Sequence, residues 1–160
     1  MADASPPDSG AGAATIVDVA HKPATARSAR AEAWLTASPE VVRRVREGRV
    51  EKGDALRVAE VAGLFALKRT AELLPMCHPI GVSGAQVRAH VASESQLRVE
   101  AVARTFERTG VEMEVLTAAS VAALTLYDML KRYDPGMEIG PVRLLEKSGG
   151  EHGDWRTPGR

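Results

Sequence analysis

From Val111 to Arg132 the chain reads as one long helix, and its central run, VLTAASVAALTLY (Val115–Tyr127), is apolar nearly all the way round. A helix with no polar side has no face to give to water, so other elements must cover it. The run is shorter than the roughly 20 residues needed to cross a bilayer and is broken by Thr117 and Thr125, so the expected cover is protein. Any charge on such a helix must be paired or used, which draws attention to Glu114, Asp128 and Lys131.

The cover is legible as strands. Ala29, Ala31, Ala33 and Leu35 alternate with Arg30 and Glu32, the mark of a half-buried strand. Residues 85–91 and 97–103 alternate in the same way, and Ser93-Glu94-Ser95 between them predicts an antiparallel hairpin. A last strand is expected near 138–145, where Pro141 implies an edge or a bulge. Ser38-Pro39 opens a short helix to about Glu47, with serine as the cap and proline in the first turn. Asp54 caps a second helix over 55–74, stopped by Pro75. The order strand, two helices, two strands, helix, strand predicts an α+β fold, a ferredoxin-like antiparallel sheet with its helices packed on one face.

At 160 residues the chain fits a single domain, here placed at 16–155. Residues 1–15, rich in Ala, Gly, Ser and Pro without a basic lead into an apolar core, are expected to be a disordered extension rather than a secretory signal. Residues 156–160 are expected to be a flexible tail. Lys plus Arg and Asp plus Glu are each 21, a balance that argues against nucleic acid or an anionic membrane as partner but not against a local phosphate pocket. With one cysteine there is no internal disulfide, which fits a cytoplasmic protein.

Chemistry concentrates in two places. Pro75-Met76-Cys77-His78-Pro79 holds a thiol and an imidazole on a stiff loop between two prolines, and histidine is the natural proton shuttle near neutral pH. On the long helix, Val121, Thr125 and Asp128 lie within about 40° of Glu114 around the axis, and Lys131 follows Asp128 at i+3. Thr109 and Glu112 read as a capping box, which ranks Glu112 below Glu114 as a functional group. Glu114 and Asp128 are separated by about 21 Å along the axis. One small substrate cannot touch both from a single chain, so either they serve different ends of the molecule or sites form between subunits. Two basic segments, Lys52-Gly53-Asp54 and Lys147-Ser148-Gly149-Gly150, offer anion-binding geometry without matching a P-loop. No CxxC, HxxxH or HExxH spacing marks a metal centre.

The blocks IVDVAHKPATARSARAEA, KGD, KRTAELLPMCHPI, TGVEMEVLTAASVAALTLYDM and IGPVRLLEKSGG together resemble the MoaC family, the cyclic pyranopterin monophosphate synthases of molybdenum cofactor biosynthesis. The resemblance runs from about Ile16 to Asp154. It implies a ferredoxin-like homohexamer, a trimer of dimers with active sites at subunit interfaces. It also implies a lyase that converts 3′,8-cyclo-7,8-dihydro-GTP, made from GTP by a radical S-adenosylmethionine enzyme, to cyclic pyranopterin monophosphate with loss of pyrophosphate. Carried over by motif, Met76, Cys77 and His78 form the substrate-contacting turn, with Met76 where leucine is usual. Met113 and Glu114 are the Met-Glu pair that binds substrate, and Asp128 is the catalytic aspartate. Lys52, Lys131 and Lys147 are the essential lysines, and Arg27 a phosphate contact. Asp128 and Lys131 would then be the acid–base pair, with His78 or Lys52 relaying a second proton and Lys147 with Arg27 holding the triphosphate. No cofactor is implied beyond a Mg²⁺ that the triphosphate itself would carry. The rival readings are a non-catalytic ferredoxin-like ligand-binding module, which has no need of acids and lysines on such a helix, and an RNA-binding domain, which the neutral charge and few aromatics disfavour.

Overall fold

The alternation around Ala31 belongs to the central strand of a five-stranded sheet. The structure, a computed structural model, describes residues 14–151 and 153–158, so the expected N-terminal extension lies almost wholly outside the described residues. Strand β1 (Thr25–Thr36) is followed by α1 (Pro39–Arg46), α2 (Ala55–Lys68) and the short α3 (Thr70–Leu73). Then come β2 (Val82–Val91), β3 (Gln96–Glu107), α4 (Glu112–Leu130), β4 (Glu138–Ser148) and β5 (Trp155–Arg156). The sheet order is β2-β3-β1-β4-β5, and every neighbouring pair is antiparallel. For the first four strands this is compatible with the split βαβ layout expected from the element order. β1 outruns its predicted span at both ends because it is hydrogen-bonded on both edges, to β3 and to β4, which holds even Thr25 and Thr36 in the ladder.

The alternating residues point where the pattern predicts. Ala29, Ala31, Ala33 and Leu35 of β1 and Leu97, Val99, Ala101 and Ala103 of β3 are buried on the side where α2 and α4 pack. Small side chains in the sheet meet small ones on α4, Ala118, Ala119, Ala122 and Ala123, which lets helix and sheet approach closely. α2 comes equally close: a Cβ on Gly63 would lie 3.0 Å from the Ala118 carbonyl oxygen. Leu126 and Leu130 are fully buried, each stabilising the fold by about 2 kcal/mol.

α4 is not covered all round, however. It has the length and composition of a membrane-crossing helix, but its inner side is the protein core. Its outer side leaves Leu124 57% and Met113 41% exposed, and α2 likewise leaves Phe65 64% exposed. The apolar periodicity is therefore more than one chain uses.

Three local expectations are corrected. The helix over 55–74 stops at Lys68 and resumes for one turn at Thr70. The buried Thr70 hydroxyl donates to the Leu67 carbonyl at 3.0 Å, a side-chain bond that competes with the helical ladder. Ser38 occupies the cap position of α1 without a side-chain cap bond, and its backbone N–H donates instead to Asp134 Oδ2 at 2.9 Å. Two residues of the expected tail at 156–160, Arg156 and Thr157, are instead held by the sheet. Trp155 and Arg156 pair with β4, and the Thr157 N–H donates to the Leu145 carbonyl at 2.8 Å. The Asp54 cap is present, accepting from the Arg57 N–H at 3.1 Å. Pro141 lies in a register shift of β4, where Ala33 faces Val142 and Leu35 faces Ile139.

The sheet face away from the helices carries a charge network. Glu32, only 1% exposed, accepts from Arg143 Nε at 2.7 Å and from Arg98 Nε at 2.8 Å, and Arg98 stacks over the Trp34 ring. Burial works to raise its pKa, but hydrogen bonds from Trp34, Arg143 and Arg98 outweigh that and hold the carboxyl below its ordinary 4.5. A depressed carboxylate adds stability above its unfolded pKa and loses it as pH falls through the folded value. Urea midpoints are therefore expected to drop below about pH 4.5. Glu32→Ala should lower stability by about 2–3 kcal/mol at pH 7, less than for a fully buried pair because both arginines can reach solvent, and should flatten that acid limb.

Candidate active site

Strand parity brings the first group together. Lys147 lies opposite Ala29, and Arg27 is two residues before Ala29, so both side chains leave the sheet on the helix side, beside the first turn of α4. There Lys147 Nζ donates to Glu112 Oε1 at 2.9 Å. This corrects the capping-box reading: α4 starts with Val111 at the cap position, no side chain caps it, and Glu112 is a partner of Lys147. Arg27, Ser28, Glu112, Lys147, Ser148 and the loop 149–151 line a small cavity of about 60 Å³. Gly149 and Gly150 both have φ +84°, and a Cβ would come within 2.2 Å of the Ala26 carbonyl oxygen at Gly149 and 2.5 Å of Arg27 Nη1 at Gly150. Only glycine lets this loop close over the arginine.

A second group flanks the same end of α4. His78 and the buried Glu114 line a cavity of about 150 Å³ with Lys68, Arg69, Thr70 and Glu72. Burial pushes the Glu114 carboxyl above its ordinary range, with a backbone hydrogen bond opposing. Burial also pushes the Cys77 thiol up, and the Glu114 charge adds to it, so the thiol is a poor nucleophile at neutral pH. Met76 and Met113 are 47% and 41% exposed and offer apolar contact beside these polar groups.

The third group sits at the other end of α4. Lys131 Nζ meets Asp128 Oδ1 at 2.8 Å, and Lys52 Nζ, from the loop before α2, meets Asp128 Oδ2 at 2.9 Å and the Asp128 carbonyl at 3.1 Å. The hydrogen bonds from Lys131 and then Lys52 hold the Asp128 carboxyl at a pKa of about 2, and Asp128 in turn raises Lys131. All three side chains are at least half exposed, so the expectation of buried charges on this helix holds for Glu114 and is corrected for Asp128 and Lys131. What marks them is the arrangement: one carboxylate clamped between two ammonium groups on a surface open to solvent.

Arg27, Lys147, Glu112, Glu114 and His78 thus gather at one end of α4, whereas Lys52, Asp128 and Lys131 gather at the other, about 21 Å away. Within one chain the two ends do not meet. Among the described residues no three His, Cys, Asp or Glu side chains converge as metal ligands. Sequence reasoning missed the roles of Glu112 and of Asp154, whose carboxylate accepts the Gly149 N–H at 3.2 Å. No local signal existed for Glu112, because its partner lies 35 residues away across the sheet.

The α+β scaffold thus presents Arg27 and Lys147 in one cavity, a buried acid beside a histidine, and a carboxylate clamped by two lysines, the kinds of group that proton-transfer chemistry on an anionic small molecule uses. The chain belongs to the MoaC family, whose model matches residues 16–150. It is 52% identical over 146 residues to the cyclic pyranopterin monophosphate synthase of Thermomicrobium roseum, covering 91% of this chain and 88% of that protein. The synthase of Brevibacillus brevis is 49% identical over 142 residues, 89% of each chain. The molybdenum cofactor biosynthesis bifunctional protein of Synechococcus elongatus is 49% identical over 144 residues, 89% of this chain, which spans only 45% of that longer protein.

Proposed function

We propose that this chain is a lyase of molybdenum cofactor biosynthesis that converts 3′,8-cyclo-7,8-dihydro-GTP to cyclic pyranopterin monophosphate and pyrophosphate. The observation that carries the reading is the Lys52–Asp128–Lys131 clamp. A surface ion pair needs one lysine and contributes under about 1 kcal/mol. An exposed aspartate is ionised and an exposed lysine protonated at pH 7 without help; what the clamp adds is position, holding the Lys131 ammonium group against Asp128. Lys131 is thus the proton donor for opening the imidazole-derived ring, Asp128 holds its ammonium group in place, and Lys52 handles a second proton. This sharpens the expected acid–base pair: at pH 7 the acid is the lysine, not the carboxyl group.

In the last step a substrate hydroxyl attacks the α-phosphorus. A new P–O bond closes the cyclic phosphate, the bond from the α-phosphorus to the bridging oxygen breaks, and the two distal phosphates leave as pyrophosphate while the hydroxyl proton passes to a base. Arg27 and Lys147 would hold those distal phosphates and offset the charge that builds on them. His78, Glu114, Cys77, Met76 and Met113 would receive the pterin end. No redox change occurs, so the reading asks for no resident cofactor, and Mg²⁺ would arrive with the triphosphate. A radical S-adenosylmethionine enzyme would supply the substrate, in the cytoplasm.

The two ends of α4 are joined in this reading by assembly. An antiparallel partner helix would set one copy's Asp128 beside the other's Glu114 and cradle, and the exposed Phe65, Met113 and Leu124 supply apolar surface for such a contact. A homohexamer, built as a trimer of dimers, repeats that contact three times. The reading is tested by incubating the purified chain with the cyclic dihydro-GTP, oxidising, and measuring pterin fluorescence and pyrophosphate. Both products are expected in equal amounts, and unchanged substrate would overturn the proposal.

A further inference from the structure

Glu114 is only 5% exposed, yet among the described residues it forms no ion pair, and its one hydrogen bond comes from its own backbone N–H. The other buried acid, Glu32, is held by two arginines. A buried carboxyl group without a partner is costly, so a protein that keeps one has a use for its oxygens. Glu114 lines the cavity of about 150 Å³ beside α3. Leu67, Ile80 and Val82 give that cavity apolar walls, suited to the faces of a flat ring. Lys68 and Arg69, at the break before Thr70, also line it. Arg69 is tied to Glu72 at 2.8 Å, whereas Lys68 forms no ion pair among the described residues. The cavity thus offers an unanswered acid and an unanswered base between apolar walls.

We infer that this cavity reads the edge of a 2-amino-4-oxopyrimidine ring, with Glu114 taking its two N–H groups and Lys68 its carbonyl oxygen. The inference rests on the reading of the chain as acting on a guanine-derived nucleotide, and adds which edge is read and by which residues. Two carboxylate oxygens match two parallel N–H groups, as they do in a bidentate arginine pair. In guanine the ring N–H and the exocyclic amine form such a pair. The carbonyl stands beside them, an acceptor for an ammonium group. Adenine presents one amino group next to a ring nitrogen, whose lone pair a carboxylate oxygen repels. Opening the imidazole-derived ring changes none of these atoms, so the same contact holds substrate and product. Glu114 and Lys68 are therefore specificity residues for the base, at a distance from the groups that hold phosphate.

Calorimetric titration of the full chain with GTP, ITP and XTP tests this, because the three differ only at one position of the base. ITP lacks the exocyclic amine, and XTP carries a carbonyl oxygen in its place. GTP is expected to bind about tenfold tighter than ITP, the scale of one hydrogen bond to a charged group, and XTP most weakly. Glu114→Gln keeps the size of the side chain but only one acceptor, and should bring GTP within about threefold of ITP. Lys68→Met should weaken GTP and ITP by the same factor, since both keep the carbonyl. If the wild-type chain binds GTP and ITP equally, or Glu114→Gln leaves their ratio unmoved, the inference is overturned. If Lys68→Met alters neither ligand, the assignment of Lys68 is overturned. Selective GTP binding by a chain that leaves the cyclic dihydro-GTP unchanged would uphold the inference and strike only the lyase reading.

Discussion

Asp128→Asn is expected to slow formation of cyclic pyranopterin monophosphate by at least about a hundredfold while leaving the fold and assembly unchanged. Asp128 is exposed, so the fold has little call on its charge. Asparagine keeps the shape and one acceptor but cannot hold two ammonium groups in place. Lys131 would also lose the hydrogen bond and charge that raise it above its ordinary 10.5. The sign follows directly: without the carboxylate the lysine gives up its proton at lower pH, so the alkaline limb of the residual activity should move down. Turnover close to wild type, with the alkaline limb unmoved, would exclude Lys131 as an acid positioned by Asp128. On the acid side, hydrogen bonds from Lys131 and Lys52 hold the Asp128 carboxyl well below its ordinary 3.8, so a loss of activity near pH 4 or 5 is not expected from it. Any limb there belongs to other groups.

The second large effect is recovery of activity from two dead proteins. Asp128→Asn and Lys147→Ala are each expected to be inactive alone, one lacking the clamp and the other the proposed phosphate contact. If each site takes the clamp from one copy and the cradle from its partner, a mixed dimer has one site with both defects and one site with none. Random mixing of equal amounts should then restore about a quarter of wild-type activity. If a single chain supplied the whole site, mixing would restore nothing. Helix geometry favours the first outcome, because Glu114, at the cradle's end of α4, and Asp128 are about 21 Å apart along one helix.

Much of the fold was legible because its signals are local. Period-two alternation located β1, β2 and β3, and the turn residues at 93–95 located the hairpin. Asp54 announced its own helix because a cap bonds within three residues. The helix break at Thr70 came from a local side-chain bond, and the two misread caps came where a distant residue supplied the contact. Glu112 carries the chemistry of a cap but is held by Lys147, 35 residues away, and at Ser38 it is the backbone N–H that is bonded, to Asp134, 96 residues away. The site was legible as a set of residues rather than as a geometry. Lys131 lies one turn from Asp128 and could be paired with it on the helical repeat alone, but nothing in the spacing placed Lys52 on the other carboxylate oxygen.

By itself, then, the sequence determined the order of the main elements, the inward faces of β1, β2 and β3 and the fourteen-residue separation of Glu114 and Asp128, since these depend on local periodicity. Tertiary structure alone decided which charges meet. The register of β4 on β1 turned Lys147 toward Glu112, the loop before α2 brought Lys52 to Asp128, and the sheet covered one side of α4 while leaving Leu124 in the open. A residue's partner is a matter of distance in space, which strand register and loop closure set, and neither is written in the spacing of any one segment.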